Sequence, residues 1–351
     1  MRRTTGMANR IRLLACAGLV AAQALVFAQG GDVNAVLTGA REALGGDKKL
    51  DAVKTLTMAG RSLRTNPTGT STESEFEVAI ELPDKYFRRD AVVNMGTMSI
   101  YRTSGFNGDG VISETDTPPQ LSGGGAVMMF RTTGPGGAVS TSGGAPPTPE
   151  QQETTRRAML TSSKQDFARL ALGMFVKSFA AYPLTMTLAG QAESPDGKAD
   201  VIEIKGDGDF AARLFVDSAT HLPLMLSWIA KEPMAAVRRV TSGGGDTVTI
   251  GGGGATVMAG GGGAVQAPRG SMTPEDREKM IKQLGEQMKE AEAKRKMVEF
   301  RLYYSDYQTV DGIKLPHKLQ RSVDGKPTEE VTFEKIKVNA KIDAKKFTVS
   351  K

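Results

Sequence analysis

Apolar and polar residues alternate along much of this chain. In Glu73–Leu82, Phe76, Val78, Ile80 and Leu82 fall on one side and Glu75, Glu77 and Glu81 on the other. A period of two belongs to an extended strand with one buried face, whereas a helix would scatter both sets. Leu222, Leu224, Leu226 and Trp228 share a face at the same spacing, as do Phe300, Leu302 and Tyr304, and Ile202 with Ile204 and Val331 with Phe333 repeat it. Pro195-Asp196-Gly197, Asp311-Gly312 and Asp324-Gly325 each separate two such runs, and Asp-Gly supplies the positive φ of a tight hairpin. The pattern predicts about ten or eleven antiparallel strands, too many for a small open sheet that does not curl.

Three helices interrupt the strands. Asn34–Leu44 has helical apolar spacing and stops at Gly45-Gly46. Gln151–Ala181 carries the stripe Met159, Phe167, Leu170, Met174, Phe175 and Phe179, suited to covering a sheet. Thr273-Pro274-Glu275-Asp276 is a capped start with acids at the positive end of the dipole. The helix it opens, predicted over 273–297, is mostly charged, with only Met280, Leu284, Met288 and Ala291 as a narrow stripe. It reads as a solvated helix against the domain, or as one that docks a partner.

The 351 residues are 39% hydrophobic and 24% charged, enough apolar material for a large packed domain. The net charge of +6 points toward nucleic acid only until it is located. Arg2, Arg3, Arg10 and Arg12 lie at the start with no acid among them, so the remainder is close to neutral and lacks a polyanion-binding footprint. That basic stretch precedes the apolar run Leu13–Ala28, too short for a membrane span, and ends in Val26-Phe27-Ala28. It predicts a secretory signal, 1–28, cleaved near Ala28-Gln29, and an exported protein that is not integral to a membrane. Cys16, the single cysteine, falls inside it, which leaves the mature chain without disulfide or thiol chemistry.

Glycine divides the mature chain. Residues 117–150 and 241–271 are rich in Gly, with Pro, Ser and Thr in the first, and no Gly-Lys-Ser/Thr accompanies them. They predict flexible insertions in one domain over 29–351, the second lying within a longer insertion, 231–298, that ends in the charged helix.

Chemistry is sparse. His221 and His317 each touch a proline at a strand start, and their spacing matches no metal-binding pair. Gly-x-Ser-x-Gly is absent. Asp207-Gly208-Asp209 lacks the further acids of a calcium loop and reads as a tight turn. The sequence therefore predicts no enzyme, no cofactor and no metal. Its 17 methionines offer soft side chains that suit either an ordinary core or one that admits variable guests.

Several turns and strand edges resemble the outer-membrane lipoprotein-sorting, or LolA-like, family. Ala43-Leu44-Gly45-Gly46 leads through Leu50–Leu56 into the first strand; Leu82-Pro83-Asp84-Lys85-Tyr86-Phe87-Arg88 is similar to a family turn, as is Asn107-Gly108-Asp109-Gly110. Leu214-Phe215-Val216-Asp217 through His221-Leu222-Pro223 resembles a strand pair of that group. The tail is most alike: Ser305-Asp306-Tyr307, Val310–His317, and Ile336–Asn339 to Ile342-Asp343 and Phe347. The likeness covers about 32–230 and 299–351 and includes no catalytic motif.

It implies a mainly β fold with α (α+β): a strongly curved antiparallel sheet or unclosed β-barrel, with helices on its concave side. It also implies a non-catalytic periplasmic carrier or chaperone that binds a lipid or lipoprotein acyl chain in an apolar cavity. Moving a 16-carbon chain through water exposes surface worth roughly 12 kcal/mol at about 0.8 per methylene, which only an enclosed site offsets. The inward candidates are Phe76, Val78, Ile80, Phe87, Leu170, Met174, Leu188, Ile202, Leu214, Leu224 and Trp228. The alternative is a periplasmic sensor or interaction module on the same fold, with the 273–297 helix on an envelope protein partner.

Overall fold

The computed structural model describes residues 32–65, 69–95, 98–116, 148–195, 197–232 and 293–350, with Glu286 and Glu290. The 1–28 segment, nearly all of 117–150, and 233–285 with most of the predicted 273–297 helix lie outside the described residues.

The chain enters through α1 (Val33–Ala43) and α2 (Asp47–Asp51) and then forms β1 (Thr55–Thr65), β2 (Ser71–Glu81), β3 (Lys85–Met95), β4 (Met98–Asn107) and β5 (Gly110–Asp116). The long helix α3 (Pro149–Phe175) comes next, and then β6 (Leu184–Ser194), β7 (Gly197–Gly206), β8 (Phe210–Asp217) and β9 (Pro223–Lys231). Strands β10 (Met297–Val310), β11 (Ile313–Val323) and β12 (Lys326–Val338) and a 3₁₀ turn, Ala344–Phe347, complete it.

All twelve strands form one sheet in the order β5-β4-β3-β2-β1-β12-β11-β10-β9-β8-β7-β6. It is two antiparallel meanders joined where β1 pairs with β12, for example Leu56 with Val338. The edge strands β5 and β6 do not pair, so the curled sheet stays open: an unclosed barrel, with one or two more strands than the alternation alone predicts. Two of the predicted turns are present, and Asp196 of the third lies outside the described residues. Asp311 and Gly312 have φ of 51° and 82°, and Asp324 and Gly325 46° and 74°, the double positive φ of type I′ hairpins. Gly208 and Asp209 make a similar turn between β7 and β8.

The core fills the concave side. Leu56, Met58, Ile80, Phe106, Ile202, Ile204, Leu214 and Leu226 come from the sheet, and Phe167, Leu172, Met174 and Phe175 from α3. Helix α3 starts with a capping box, Thr148 and Gln151 exchanging bonds, and has Pro149 in its first turn. It ends at Val176, in a left-handed conformation with φ 47°, short of the expected Ala181. Phe179 keeps the helical spacing that suggested the longer helix, but it lies in a bridged turn with Tyr182 and still packs on Phe175 and Phe167. Met297, expected to end a helix, instead opens β10 and pairs with Lys231.

Candidate functional site

Helix α3 leaves a narrow cleft where it crosses β2, β3, β10, β11 and β12. Part of the wall is apolar. The rings of Phe76 and Phe333 meet edge to face at 5.5 Å, with Val78, Leu302, Leu319 and Val331 around them and Leu170 contributed by α3. The space is about 40 Å³. That admits one or two waters at about 30 Å³ each and falls well short of the roughly 300–1,000 Å³ of ligand pockets.

Of the residues expected to face inward, Phe76, Val78 and Leu170 line this cleft, while Ile80, Met174, Ile202 and Leu214 are buried elsewhere in the same core. Trp228 lies at the core margin, stacked on Phe300 at 5.4 Å, and Leu188 is half-buried opposite Ile202. Two placements differ from expectation. Phe87 points to the outer face, where Ala79, Ile112 and Phe347 cover it; β3 is apolar on both faces here, with Tyr86 taking the inner side. Leu224 is 40% exposed. Phe215 pairs with Met225 and Val216 with Pro223, so Leu224 is an extra residue, and this bulge re-aims its side chain.

The rest of the wall is charged, which the apolar pattern alone did not reveal. Arg88 is forked onto Asp90, its Nε donating to Oδ2 at 2.9 Å and its Nη2 to Oδ1 at 2.8 Å. Arg64 bridges Asp90 at 3.2 Å and Glu329 at 2.8 Å, and the Ser62 hydroxyl donates to Glu329 at 2.7 Å. From α3, Arg169 Nη1 donates to Asp166 at 3.1 Å, while its guanidinium carbon lies 4.6 Å from the Trp228 ring centroid. Arg321, from β11, reaches Glu329 only at 3.9 Å. The Nε groups of Arg169 and Arg321 are buried without an acceptor among the described residues.

These charges set one another's protonation. Burial raises the Glu329 carboxyl, but Arg64, Arg321 and Arg88 outweigh it and hold it well below the usual carboxylate range. Asp90 likewise resists burial through Arg88 and Arg64 and is lowered. Burial lowers the Arg169 guanidinium despite Asp166, the like charge of Arg321 adding to the effect; arginine remains charged all the same. Burial pushes the Tyr86 and Tyr304 phenols up.

The signal for this cluster was in the strands' own periodicity. Counting by two from inward residues leads from Tyr86 to Arg88 and Asp90, from Leu319 to Arg321, and back from Val331 to Glu329. A charge at an inward register position marks a buried network. The histidines are elsewhere: His221 is exposed, and His317 Nδ1 is 3.1 Å from the Leu315 carbonyl. No group of three or more His, Cys, Asp or Glu able to hold a metal occurs among the described residues. No helix among them is long and apolar enough to cross a membrane.

No family model and no curated protein matches the chain. Among solved structures, it is similar to a LolA superfamily protein from Nitrosomonas europaea at 8% identity and TM-score 0.41, over 90% of this chain and 96% of that one. A DUF1329 family protein from Desulfovibrio piger gives 10% identity and TM-score 0.42, over 90% and 97%. An outer membrane lipoprotein-sorting protein domain from Vibrio parahaemolyticus gives 10% and 0.39, over the same shares of 90% and 97%. Likeness at this level assigns neither ligand nor partner.

Proposed function

We propose that the protein is a non-catalytic carrier that holds an acyl chain, of a lipid or lipoprotein, between α3 and the concave face of the sheet. The observation that carries this reading is the long helix α3 lying over the apolar concave side of an open sheet, with Phe167, Leu170, Met174 and Phe175 as its inner stripe. A cleft of about 40 Å³ does not accept an acyl chain as it stands, so α3 must be displaced. The exchange is feasible because the chain would replace one apolar partner of the sheet with another, and little apolar area need be left in water. The 1–28 pattern supports export, and the tail and turn motifs support an envelope role.

Hydrogen exchange of the protein with and without palmitate tests this. The reading expects uptake accompanied by faster exchange across 163–175, with β1 and β12 unchanged. Absence of uptake, or uptake that leaves α3 as protected as before, would defeat it.

One observation favours the alternative of a protein-interaction module. Ile229 and Met297 are 68% and 62% exposed and are near neighbours on the outer face of β9 and β10, where the 232–296 segment leaves the sheet. A partner captured by the protein and lost with Ile229→Asp, alongside no acyl uptake, would support that reading.

A further inference from the structure

The charged wall of the cleft is unbalanced. Arg88, Arg169 and Arg321 line it with Asp166 and Glu329, Arg64 and Asp90 extend the network beyond it, and the carboxylates are not evenly distributed. Asp90 and Glu329 are committed to Arg64 and Arg88 at hydrogen-bond distance, whereas Arg321 has only the 3.9 Å approach to Glu329. Arg102, paired opposite Asp90 on β4, brings a further half-buried cation toward the same face. Two arginines from different elements, α3 and β11, therefore line one small space, each with a buried Nε–H that has no acceptor among the described residues. Buried donors are almost always satisfied, and leaving one unmade is expensive. An acceptor held between the two would satisfy both, and the surplus of positive charge favours an anion.

The geometry points to the Arg169–Arg321 end of the cleft as the seat of an oxyanion, so that the cargo is an anionic amphiphile whose carboxylate or phosphate sits between these two guanidinium groups. The proposal deepens the acyl-chain reading and rests on it for the tail of the ligand. Guanidinium forks match carboxylate and phosphate oxygens in shape as well as charge. The space is small enough for a head group and opens among Leu170, Leu302, Leu319 and Phe333, where a chain attached to that head group would continue under α3. Asp166 and Gln165 hold the outer nitrogens of Arg169, and the Trp228 ring lies beneath it, so its Nε–H is presented in a fixed direction.

Trp228 is the single tryptophan in the chain and reports on Arg169 directly. The test titrates the full-length protein with palmitate, hexadecanol and inorganic phosphate, each below its aggregation limit. Heat and Trp228 fluorescence are followed in parallel for wild type, Arg321→Gln and Arg321→Lys. Arg321 is the better site to vary because its side chain is 36% exposed and Glu329 keeps Arg64 without it. Palmitate is expected to bind about tenfold or more tighter than hexadecanol, the scale of a charged hydrogen bond. Arg321→Gln should remove most of that preference while hexadecanol affinity stays within about twofold, and Arg321→Lys should fall between.

Equal binding of palmitate and hexadecanol by wild type overturns the inference and leaves the acyl reading standing. A preference that survives in both variants, each melting as wild type does, also overturns it. If neither amphiphile binds, the acyl reading fails and phosphate decides the rest. A Trp228 response to phosphate that Arg321→Gln abolishes upholds the oxyanion seat alone, and no response overturns that too. Should Arg321→Gln not fold, the wild-type preference and Arg321→Lys carry the comparison.

Discussion

The ring of Tyr304 stands where a side chain on Gly173 would have to go: a Cβ built there would lie 2.1 Å from the Tyr304 Cε1. Helix and sheet touch so closely at this point that only glycine fits the helix. The ring cannot easily yield, because its hydroxyl donates to the Arg169 carbonyl at 2.7 Å one turn earlier in α3. The Tyr307 hydroxyl lies 3.4 Å from the Gly173 carbonyl and 2.8 Å from that of Pro223 on β9, so two tyrosines of β10 set the height of the helix above the cleft.

Gly173→Ala is therefore expected to destabilise the protein by about 1–3 kcal/mol through overpacking, although alanine is the better helix former by about 1 kcal/mol. Tyr304→Phe, which keeps the ring and removes the bond, should cost about 1 kcal/mol. Urea denaturation of both variants measures this, and a Gly173→Ala protein more stable than wild type would show that α3 does not rest on Tyr304.

The buried carboxylates should govern the acid limb of stability. Glu329 and Asp90 are both depressed in the folded protein, so the stability they contribute is fully present above their ordinary values near 4. It drains away as pH falls below that range toward their depressed folded values. Glu329→Gln leaves Arg64 with Asp90 alone and Arg321 without a carboxylate, and should cost about 3 kcal/mol at pH 7, the low end of a broken buried pair. It should also flatten the stability profile below about pH 4. Denaturant midpoints measured from pH 7 to pH 2 give both effects, and parallel profiles for wild type and variant would remove Glu329 from the account.

How much of this was legible in the sequence depended on whether one residue or two distant ones decided the outcome. The inner face of β2 could be read directly, because Phe76, Val78 and Ile80 alternate with glutamates and each is buried. The Asp-Gly hairpins were equally local. The pairing of β1 with β12 was not, since nothing in either strand names a partner more than 280 positions away, as for Leu56 and Val338. Phe87 was ambiguous because its neighbour Tyr86 is apolar too and the alternation loses its phase. Leu224 was misplaced by a bulge whose cause lies in the register against β8. The charged wall follows the strand phases too, but an inward arginine breaks the apolar alternation that identifies a strand.

The bulge makes a sharp contrast between neighbours on β9. Leu226 is fully buried against Leu214 and Leu302, whereas Leu224 is largely exposed. Leu226→Ala should cost about 2–5 kcal/mol as a core cavity, and Leu224→Ala about 0.5 kcal/mol or less. Equal losses in thermal unfolding would place both leucines on one face and abolish the bulge.

The last turn of α3 is held from outside the sheet. Arg41 of α1 donates from Nη1 to the Phe175 carbonyl at 2.9 Å, placing a cation at the negative end of the helix dipole. Asp47 and Asp51 pair with Arg41, and Lys177, just past the helix end, donates to Asp51 at 2.8 Å. This clamp joins α1, α2 and the C-terminus of α3, so it opposes any displacement of the helix. Removing it with Arg41→Met keeps the apolar stem and deletes a charged bond worth about 1.5–3 kcal/mol locally. Amides of 172–175 should then exchange about tenfold faster or more, while β1 and β12 stay protected. If acyl chains enter as α3 lifts, the association rate of a fluorescent fatty acid should rise by a similar factor. Faster exchange with an unchanged association rate would mean that the chain enters elsewhere, at the open edge between β5 and β6.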